Sequence, residues 1–373
     1  MDIRTQIPNP APTIRPPASR PLTSVGVALA TVALAAAGVW LVAPDAGPFA
    51  AGGTPLEQLL GGPAPFASFM AGAILALAGV LALAAGLASL AGWRSLDRAA
   101  PALALVASLA VALGLVGFDG IVIAGYTLAT LVPIGVVVVI ALLARRRPLA
   151  AVALAVPVVA VVVLAVTGVF PIGMFYARFT ETVLDDPVRF VGALGLTLFA
   201  GVWMVWAATS TAAALPRMGA FVQRHRVVIT VLAALCPAPY VVARLTWLTP
   251  WPLFGGDLEA FAEHPDMFVT GLLLGAAMLL GAVLTLGLVL PWGERAPRWV
   301  PGIGGQPVPI ALAVVPALSV AVLFTAGGVQ ELGLIASGQL HGASALVLPF
   351  WAWGPLLALA TWGYARKRMG EVR

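Results

Sequence analysis

Arg244 places a permanent positive charge inside a long apolar stretch of the sequence. A guanidinium at the centre of a membrane helix costs ~2.5 to 3.5 kcal/mol on insertion scales, and it is therefore usually paired. Tyr240 precedes it by four residues, so both side chains would share one helical face. Asp257 and Glu259 follow in the next polar segment as candidate partners of the cation. Together with Trp247, these residues form a candidate substrate or pairing site.

The segment just before Arg244 reads Cys236-Pro237-Ala238-Pro239, which predicts a broken or kinked helix because proline removes backbone hydrogen bonds. Discontinuous helices of this kind form substrate or ion sites in transporters. Two simpler interpretations stay open. Prolines also produce packing kinks without a ligand, and Arg244 lies close enough to its helix end to reach lipid headgroups beside Trp247 and Trp251.

A second group of residues lies in a polar loop rich in tryptophan and proline: Trp292, Glu294, Arg298 and Trp299. The tryptophans are expected to anchor the loop at the membrane interface, and the arginine is expected to face anionic lipid. A stiff loop flanked by tryptophan also suits docking of a cytoplasmic protein partner. This group is a candidate loop motif.

The sequence contains no recognisable motif for catalysis, for a cofactor or for a metal. Cys236 is the single cysteine, and the three histidines are far apart in sequence, so no ligand-spaced pair exists. There is no Walker loop, no G-x-S-x-G elbow and no pair of carboxylates within an apolar segment. We therefore expect no cofactor and no metal, and an enzyme is disfavoured. An outer-face lipid or glycan transferase that uses loop carboxylates is the enzymatic alternative.

The elements that position these residues are membrane helices. The chain has 373 residues, of which 61% are hydrophobic and 9% charged, and its mean hydropathy is +1.02. Apolar runs near the ~20 residues that span a bilayer recur along the whole chain. Only helices satisfy their own backbone in lipid, which predicts an all-α polytopic bundle. The candidate spans are residues 22–43, 67–92, 99–117, 121–144, 149–170, 188–214, 227–248, 267–290, 308–326 and 344–365.

The charged residues indicate an orientation for these ten spans. With the loops numbered alternately, nearly all of the 20 basic residues fall on one side, and only Arg178 and Arg189 fall on the other. Basic loops are retained in the cytoplasm. Both termini are therefore predicted to be cytoplasmic, and the net charge of +5 reflects orientation rather than binding of nucleic acid. The expected partner is the lipid bilayer.

The predicted organisation has three parts. Residues 1–21 are rich in proline and are expected to be a disordered cytoplasmic tail, residues 22–365 form the transmembrane domain, and residues 366–373 form a short basic tail. A tight turn at Asp119-Gly120 is needed to separate the third and fourth spans. Similar P-x-x-F segments at the starts of several spans favour an internal repeat of helix hairpins, although composition alone produces such likeness.

Two motifs in the C-terminal half carry a family resemblance. Residues 291–309 read P-W-G-E-R-A-P-R-W-V-P-G-I-G-G-Q-P-V-P, and residues 244–247 read R-L-T-W. The chain resembles a family of uncharacterised actinobacterial multipass membrane proteins with W-G-E-x-x-P-R-W-x-P and R-L-x-W motifs. Gln306-Pro307 replaces the basic residues that such sequences tend to carry there. The resemblance implies a bacterial plasma membrane and brings no assigned activity.

Three hypotheses about function follow from the sequence. The first is a non-enzymatic multipass protein, transporter-like or accessory, with its site near Arg244. The second is a membrane scaffold or regulator that acts through its cytoplasmic loops, and the third is the outer-face enzyme. The substrate, the energy coupling and the oligomeric state do not follow from the residues.

Overall fold

The computed structural model describes residues 20–49, 54–60, 64–93, 96, 99–146, 148–168, 177, 180–181, 183–210, 216–298 and 304–371. The expected disordered tail falls on residues 1–21 and so lies almost wholly outside this part of the chain, as does Trp299 of the loop motif. Within the described ranges the chain is helical and contains no strand, which confirms the all-α class.

Most helices begin at or near a proline, which is favoured at the first helical position because its missing N–H has no partner there. In chain order the helices are α1 (Arg20–Val42), α2 (Pro55–Leu60), α3 (Ala64–Ala91), α4 (Ala100–Val111), α5 (Gly117–Arg146), α6 (Pro148–Val166), α7 (Pro187–Ser210), α8 (Pro216–Arg224), α9 (Arg226–Leu235), α10 (Ala238–Thr246), α11 (Leu258–Glu263), α12 (Pro265–Leu286), α13 (Ile310–Ala336), α14 (Ser344–Val347) and α15 (Phe350–Glu371).

In the part of the chain that the structure describes, eight helical segments are long and apolar enough to cross a membrane. They are Arg20–Val42, Phe66–Ala91, Ala100–Gly125, Pro187–Ser210, Arg226–Thr246, Met267–Leu286, Ile310–Ala336 and Ser344–Gly370. The chain is therefore a multipass membrane protein, and the predicted count of about ten is approximate. The expected fourth and fifth spans correspond to α5 and α6.

The regular helix is interrupted at Gly117, two residues before the predicted turn at Asp119-Gly120. A π-helical turn over Ala112–Val116 ends α4, and Gly117 has φ +48° and ψ −138°, a conformation that favours glycine. The N–H of Phe118 then donates to Gln330, and Ile121 lies beside Gly327, so α5 begins against the C-terminal half of α13. Asp119 and Gly120 lie in the first turn of α5.

Four helices of the N-terminal half form a closed ring, in which α1 packs on α3, α3 on α4, α4 on α7 and α7 back on α1. Fully buried alanines line these contacts, among them Ala30, Ala78, Ala104 and Ala200. Small side chains allow helices to approach closely where lipid supplies no hydrophobic driving force. Trp203 lies at the centre of this ring and is fully buried.

The C-terminal half packs around α13 and α15, whose backbones touch. A Cβ on Gly328 would collide with the backbone of Trp351, and a Cβ on Gly354 would collide with Thr325. Helix α9 packs on α15, while α12 packs on α9 and α10. In the N-terminal half α3 packs on both its neighbours α1 and α4, whereas α13 packs chiefly on α15, so the pairing differs between the halves. The proposed repeat stays a prediction from sequence.

The charged residues lie at two ends of the bundle. We call the end that holds Arg217, Arg224, Glu294, Arg295 and Lys367 the basic end, since its loops carry most of the arginines. We call the opposite end, which holds Glu57, Asp119, Asp257 and Glu263, the acidic end. Helix α15 continues to Glu371 at the basic end, so residues 366–371 extend the last helix.

Candidate functional site

The predicted break in the seventh expected span lies between Leu235, where α9 ends, and Ala238, where α10 begins. Cys236 and Pro237 form the turn between the two helices. The N–H of Val241 donates to the carbonyl of Pro237 at 3.0 Å, which starts the hydrogen bonding of α10. The two helices still form one apolar segment, Arg226–Thr246. The turn therefore interrupts the helix within a single membrane crossing, and α10 continues the same crossing after it.

Arg244 lies between two aromatic rings of its own helix end. Its Cζ is 4.5 Å from the ring centroid of Tyr240 and 4.0 Å from that of Trp247. Both rings are buried, with 6% and 5% of their surface exposed. Nη1 of Arg244 donates to the carbonyl of Phe254 at 3.2 Å, and its Nε is buried without a hydrogen-bond partner. Cation–π contact thus replaces much of the hydration that the guanidinium loses.

Trp247 is itself held rigidly, so this cradle is preformed. Its Nε1 donates to the carbonyl of Leu253 at 2.7 Å, and its ring packs 4.7 Å from that of Phe261. Glycines 256 and 271 leave room for the indole, because a Cβ at either position would collide with it. The loop after α10 is folded back over the arginine by these contacts.

The two expected carboxylate partners lie on the following loop. The side chain of Asp257 caps α11 by accepting from the N–H of Glu259 at 2.9 Å. Among the ion pairs of the described residues, none joins Arg244 to Asp257 or Glu259. The structure therefore brings Tyr240, Arg244 and Trp247 together and leaves both carboxylates exposed nearby.

A second polar group, absent from the sequence-based candidates, lies inside the acidic end. We call Gln58, Phe118, Gln330 and Glu331 the acidic-end cluster. Nε2 of Gln330 donates to Oε1 of Gln58 at 2.6 Å, and the N–H of Phe118 donates to Oε1 of Gln330 at 2.7 Å. The Phe118 N–H belongs to the first turn of α5 and has no intrahelical acceptor. Gln330 therefore joins α13 to the short helix α2 and to the start of α5.

Glu331 is the most buried carboxylate of the described chain, with only 2% of its surface exposed. Its Oε2 is buried without a hydrogen-bond partner, and Ser344 of α14 lies near the carboxyl group. The predicted span 308–326 would leave Glu331 outside the membrane helix, but this predicted end is wrong because α13 continues to Ala336. Gly327-Gly328 resembles a turn signal, whereas the absence of proline between Ala317 and Gly338 was the available sign that the helix continues.

The backbone around the acidic-end cluster is irregular. The π-helical turn at Ala112–Val116 and the positive φ of Gly117 lie beside Gln330. Single π turns inside helices occur frequently at functional sites. Next to Phe118, Nη2 of Arg189 in α7 donates to Oδ2 of Asp119 at 2.9 Å. Gln58 is exposed, so the hydrogen bonds from Gln58 to Gln330 begin at the surface, and Glu331 is the next residue of α13.

The loop between α12 and α13 is fixed to the end of α15 at the basic end. Nζ of Lys367 lies 2.6 Å from Oε1 of Glu294, and Nη1 of Arg226 lies 3.8 Å from the same oxygen. Arg368 donates to the carbonyl of Glu294 at 3.1 Å, and Oη of Tyr364 donates to the carbonyl of Gly293 at 2.7 Å. Glu294 is therefore the residue through which α9 and α15 hold this loop.

The predicted loop motif lines a groove of about 540 Å³, bordered by Trp292, Glu294, Arg295, Pro297, Arg298 and Gly305. An antiparallel bridge between Arg295 and Pro307 closes one side of it. Trp292 packs on Gly287 at the end of α12, where a Cβ would collide with the indole. Arg295 and Arg298 are exposed. The groove therefore combines an aromatic wall with two exposed cations.

The chemistry of these sites is polar and ionic. Among the residues that the structure describes, no three His, Cys, Asp or Glu side chains are grouped to hold a metal ion. The comparisons with protein families, with curated proteins and with solved structures found no match to this chain. Function must therefore be inferred from the sites themselves.

Proposed function

We propose that this multipass membrane protein is transporter-like and that Glu331 is its central polar group, taking a cation or a proton. The observation that carries this proposal is a buried carboxylate, without a partner for Oε2, inside an apolar helix. An ionisable residue at such a position is costly, and in membrane proteins it usually marks an ion or substrate pathway.

The surroundings of Glu331 support the same function. Transporter sites are built where helices are interrupted, because backbone groups freed by the interruption can bind a ligand. Helix α4 ends in a π turn and α5 restarts at Gly117, beside the side chain of Gln330. Gln58 connects this interior to the surface. The cluster offers carbonyl and carboxylate oxygens, which suit a cation.

The test is electrical and works before any substrate has been identified. Proteoliposomes on a solid-supported membrane are perfused in turn with Na⁺, K⁺, small organic cations and a step to lower pH. We expect at least one perfusion to evoke a current that empty liposomes lack. Glu331→Gln, which keeps the shape and removes the charge, should abolish it, whereas Glu263→Gln, an exposed carboxylate at the same end, should retain it.

The outcomes separate the site from the function. A current that persists in Glu331→Gln would refute the role of this residue. Arg244→Ala would then be the next variant to test. If no perfusion evokes a current, the transporter proposal fails. A cellular phenotype that is lost on replacement of Asp257 or Glu259, and kept in Glu331→Gln, would instead favour the outer-face transferase.

The fixed loop at the basic end favours a second candidate function, a membrane scaffold or regulator. Its support is the rigid attachment of the loop through Glu294 to Lys367 and Arg368. A scaffold predicts that Trp292→Ala or Arg298→Ala changes the phenotype while Glu331→Gln does not. We further propose that the basic end is cytoplasmic, as the positive-inside rule predicts, and that the chain belongs to the actinobacterial multipass group named by its motifs.

A further inference from the structure

We propose that the groove between α12 and α13 binds the phosphate headgroup of an anionic phospholipid at the basic end. This inference is independent of the transporter proposal, because the groove lies at the opposite end of the bundle from Glu331. It rests on the charge balance of the groove and on its position beside lipid-facing side chains.

The groove carries a net positive charge. Its one described carboxylate, Glu294, is already neutralised by Lys367 at 2.6 Å and approached by Arg226 at 3.8 Å. Arg295 and Arg298 are exposed, and no ion pair found among the described residues involves either of them. Arginine presents a planar fork of donors that matches a phosphate group. Two such side chains on one groove are complementary to an anionic ligand.

The groove lies where the two membrane helices end, which favours a lipid over a soluble phosphate compound. Leu290, one residue before the groove, has 40% of its surface exposed, and Leu312, in the first turn of α13, has 67% exposed. Leu312 lies on an apolar helix and Leu290 follows the end of one, so both exposed side chains are expected to face the hydrocarbon of the bilayer. Trp292 lines the groove and packs on Gly287 next to the end of α12, and tryptophan is favoured at the membrane interface. A headgroup in the groove would leave its acyl chains beside both leucines.

Binding is measured on the full-length purified protein in a neutral maltoside detergent. The probes are dioctanoyl phosphatidylglycerol, dioctanoyl phosphatidylcholine and inorganic phosphate, each titrated by microscale thermophoresis. The test variant is Arg295→Gln/Arg298→Gln, and the matched control is Arg217→Gln/Arg224→Gln, which removes the same charge from exposed positions at the same end. Arg298→Gln alone is the second variant, and a thermal melt verifies that every variant is folded.

We expect phosphatidylglycerol to bind with saturation and the test variant to bind it at least about tenfold more weakly, since each basic residue near a membrane surface contributes on the order of a fivefold factor. Arg298→Gln alone should lose about fivefold, and the control double variant less than twofold. Equal losses in both double variants would show diffuse electrostatic attraction and overturn the site. Equal binding of inorganic phosphate would overturn the lipid assignment. Retained lipid binding by the test variant would refute the proposal, and an acidic protein segment would then be the alternative ligand of the groove.

Discussion

The backbone N–H of Phe118 donates a 2.7 Å hydrogen bond to Oε1 of Gln330, a residue 212 positions later in the chain. This bond joins the first turn of α5 to the C-terminal half of α13. The same side chain donates to Gln58 at 2.6 Å. One glutamine thus connects three segments at the acidic end, and it satisfies a half-buried helix N-terminus.

Gln330→Leu should therefore destabilise the protein. Removing the amide leaves the Phe118 N–H without its acceptor, whereas exposed Gln58 can bind water instead, and an unsatisfied buried polar group costs about 1–3 kcal/mol. The free energy of unfolding in mixed micelles measures this loss. Gln339→Leu, which replaces an exposed glutamine beyond the end of α13, is the control and should change stability by less than about 0.5 kcal/mol. Equal effects of the two substitutions would contradict the bridging role.

Gly117→Ala should also be destabilising, because the backbone there has φ +48° and a new Cβ would collide with Oε1 of Gln330 and with Pro55. A strained backbone conformation costs on the order of 1–3 kcal/mol. The midpoint of thermal unfolding measures the effect. Gly125→Ala in the same helix meets no atom within 4 Å and should be neutral or slightly stabilising. A neutral Gly117→Ala would show that the turn tolerates an ordinary residue.

Arg244→Lys tests whether the aromatic cradle recognises a guanidinium or only a charge. Lysine cannot stack its planar group on Tyr240 and Trp247, so we expect a loss of about 0.5–2 kcal/mol in the free energy of unfolding. Arg217→Lys, at an exposed position of α8, should have no measurable effect. Full stability of Arg244→Lys would support simple anchoring of a positive charge at the headgroups.

Glu294→Gln should loosen the loop at the basic end. The substitution weakens the contact with Lys367 at 2.6 Å and removes the charge that Arg226 approaches. Losing about 1 kcal/mol of local stability corresponds to roughly fivefold faster hydrogen exchange. The amides of Ala296 and Val308 report it, since both donate across the loop, to Gln306 and Glu294. Unchanged exchange at these amides would show that Arg368 and Tyr364 hold the loop alone.

A single-cysteine map on a Cys236→Ala background tests topology. With an impermeant thiol reagent applied from outside, we expect labelling at Gly255→Cys and Gly342→Cys, both exposed at the acidic end, and none at Arg217→Cys. Leu149→Cys, at the start of α6, distinguishes the span counts. Protection there supports ten crossings, because α5 then carries the chain back to the cytoplasm, whereas labelling supports eight. Labelling only at Arg217→Cys would reverse the orientation.

The local part of the candidate sites could be predicted from sequence. Tyr240 and Arg244 are four residues apart, so helical geometry alone brings their side chains together, and the two prolines fix the break in front of them. The acidic-end cluster could not be found this way. Its members come from α2, α5 and α13. An apolar sequence carries little information about which helices become neighbours, because most faces of a membrane helix are similarly apolar.

The sequence by itself determined that this is an all-α multipass membrane protein with charge-separated ends, because every backbone polar group in lipid must be satisfied within its own helix and because charged residues are rare inside the spans. Only the tertiary structure decided that Glu331 is buried beside Ser344, that Gln330 caps α5 and that Glu294 reaches Lys367. These contacts depend on packing between distant helices, where small residues such as Gly328 and Gly354 set how closely the backbones approach.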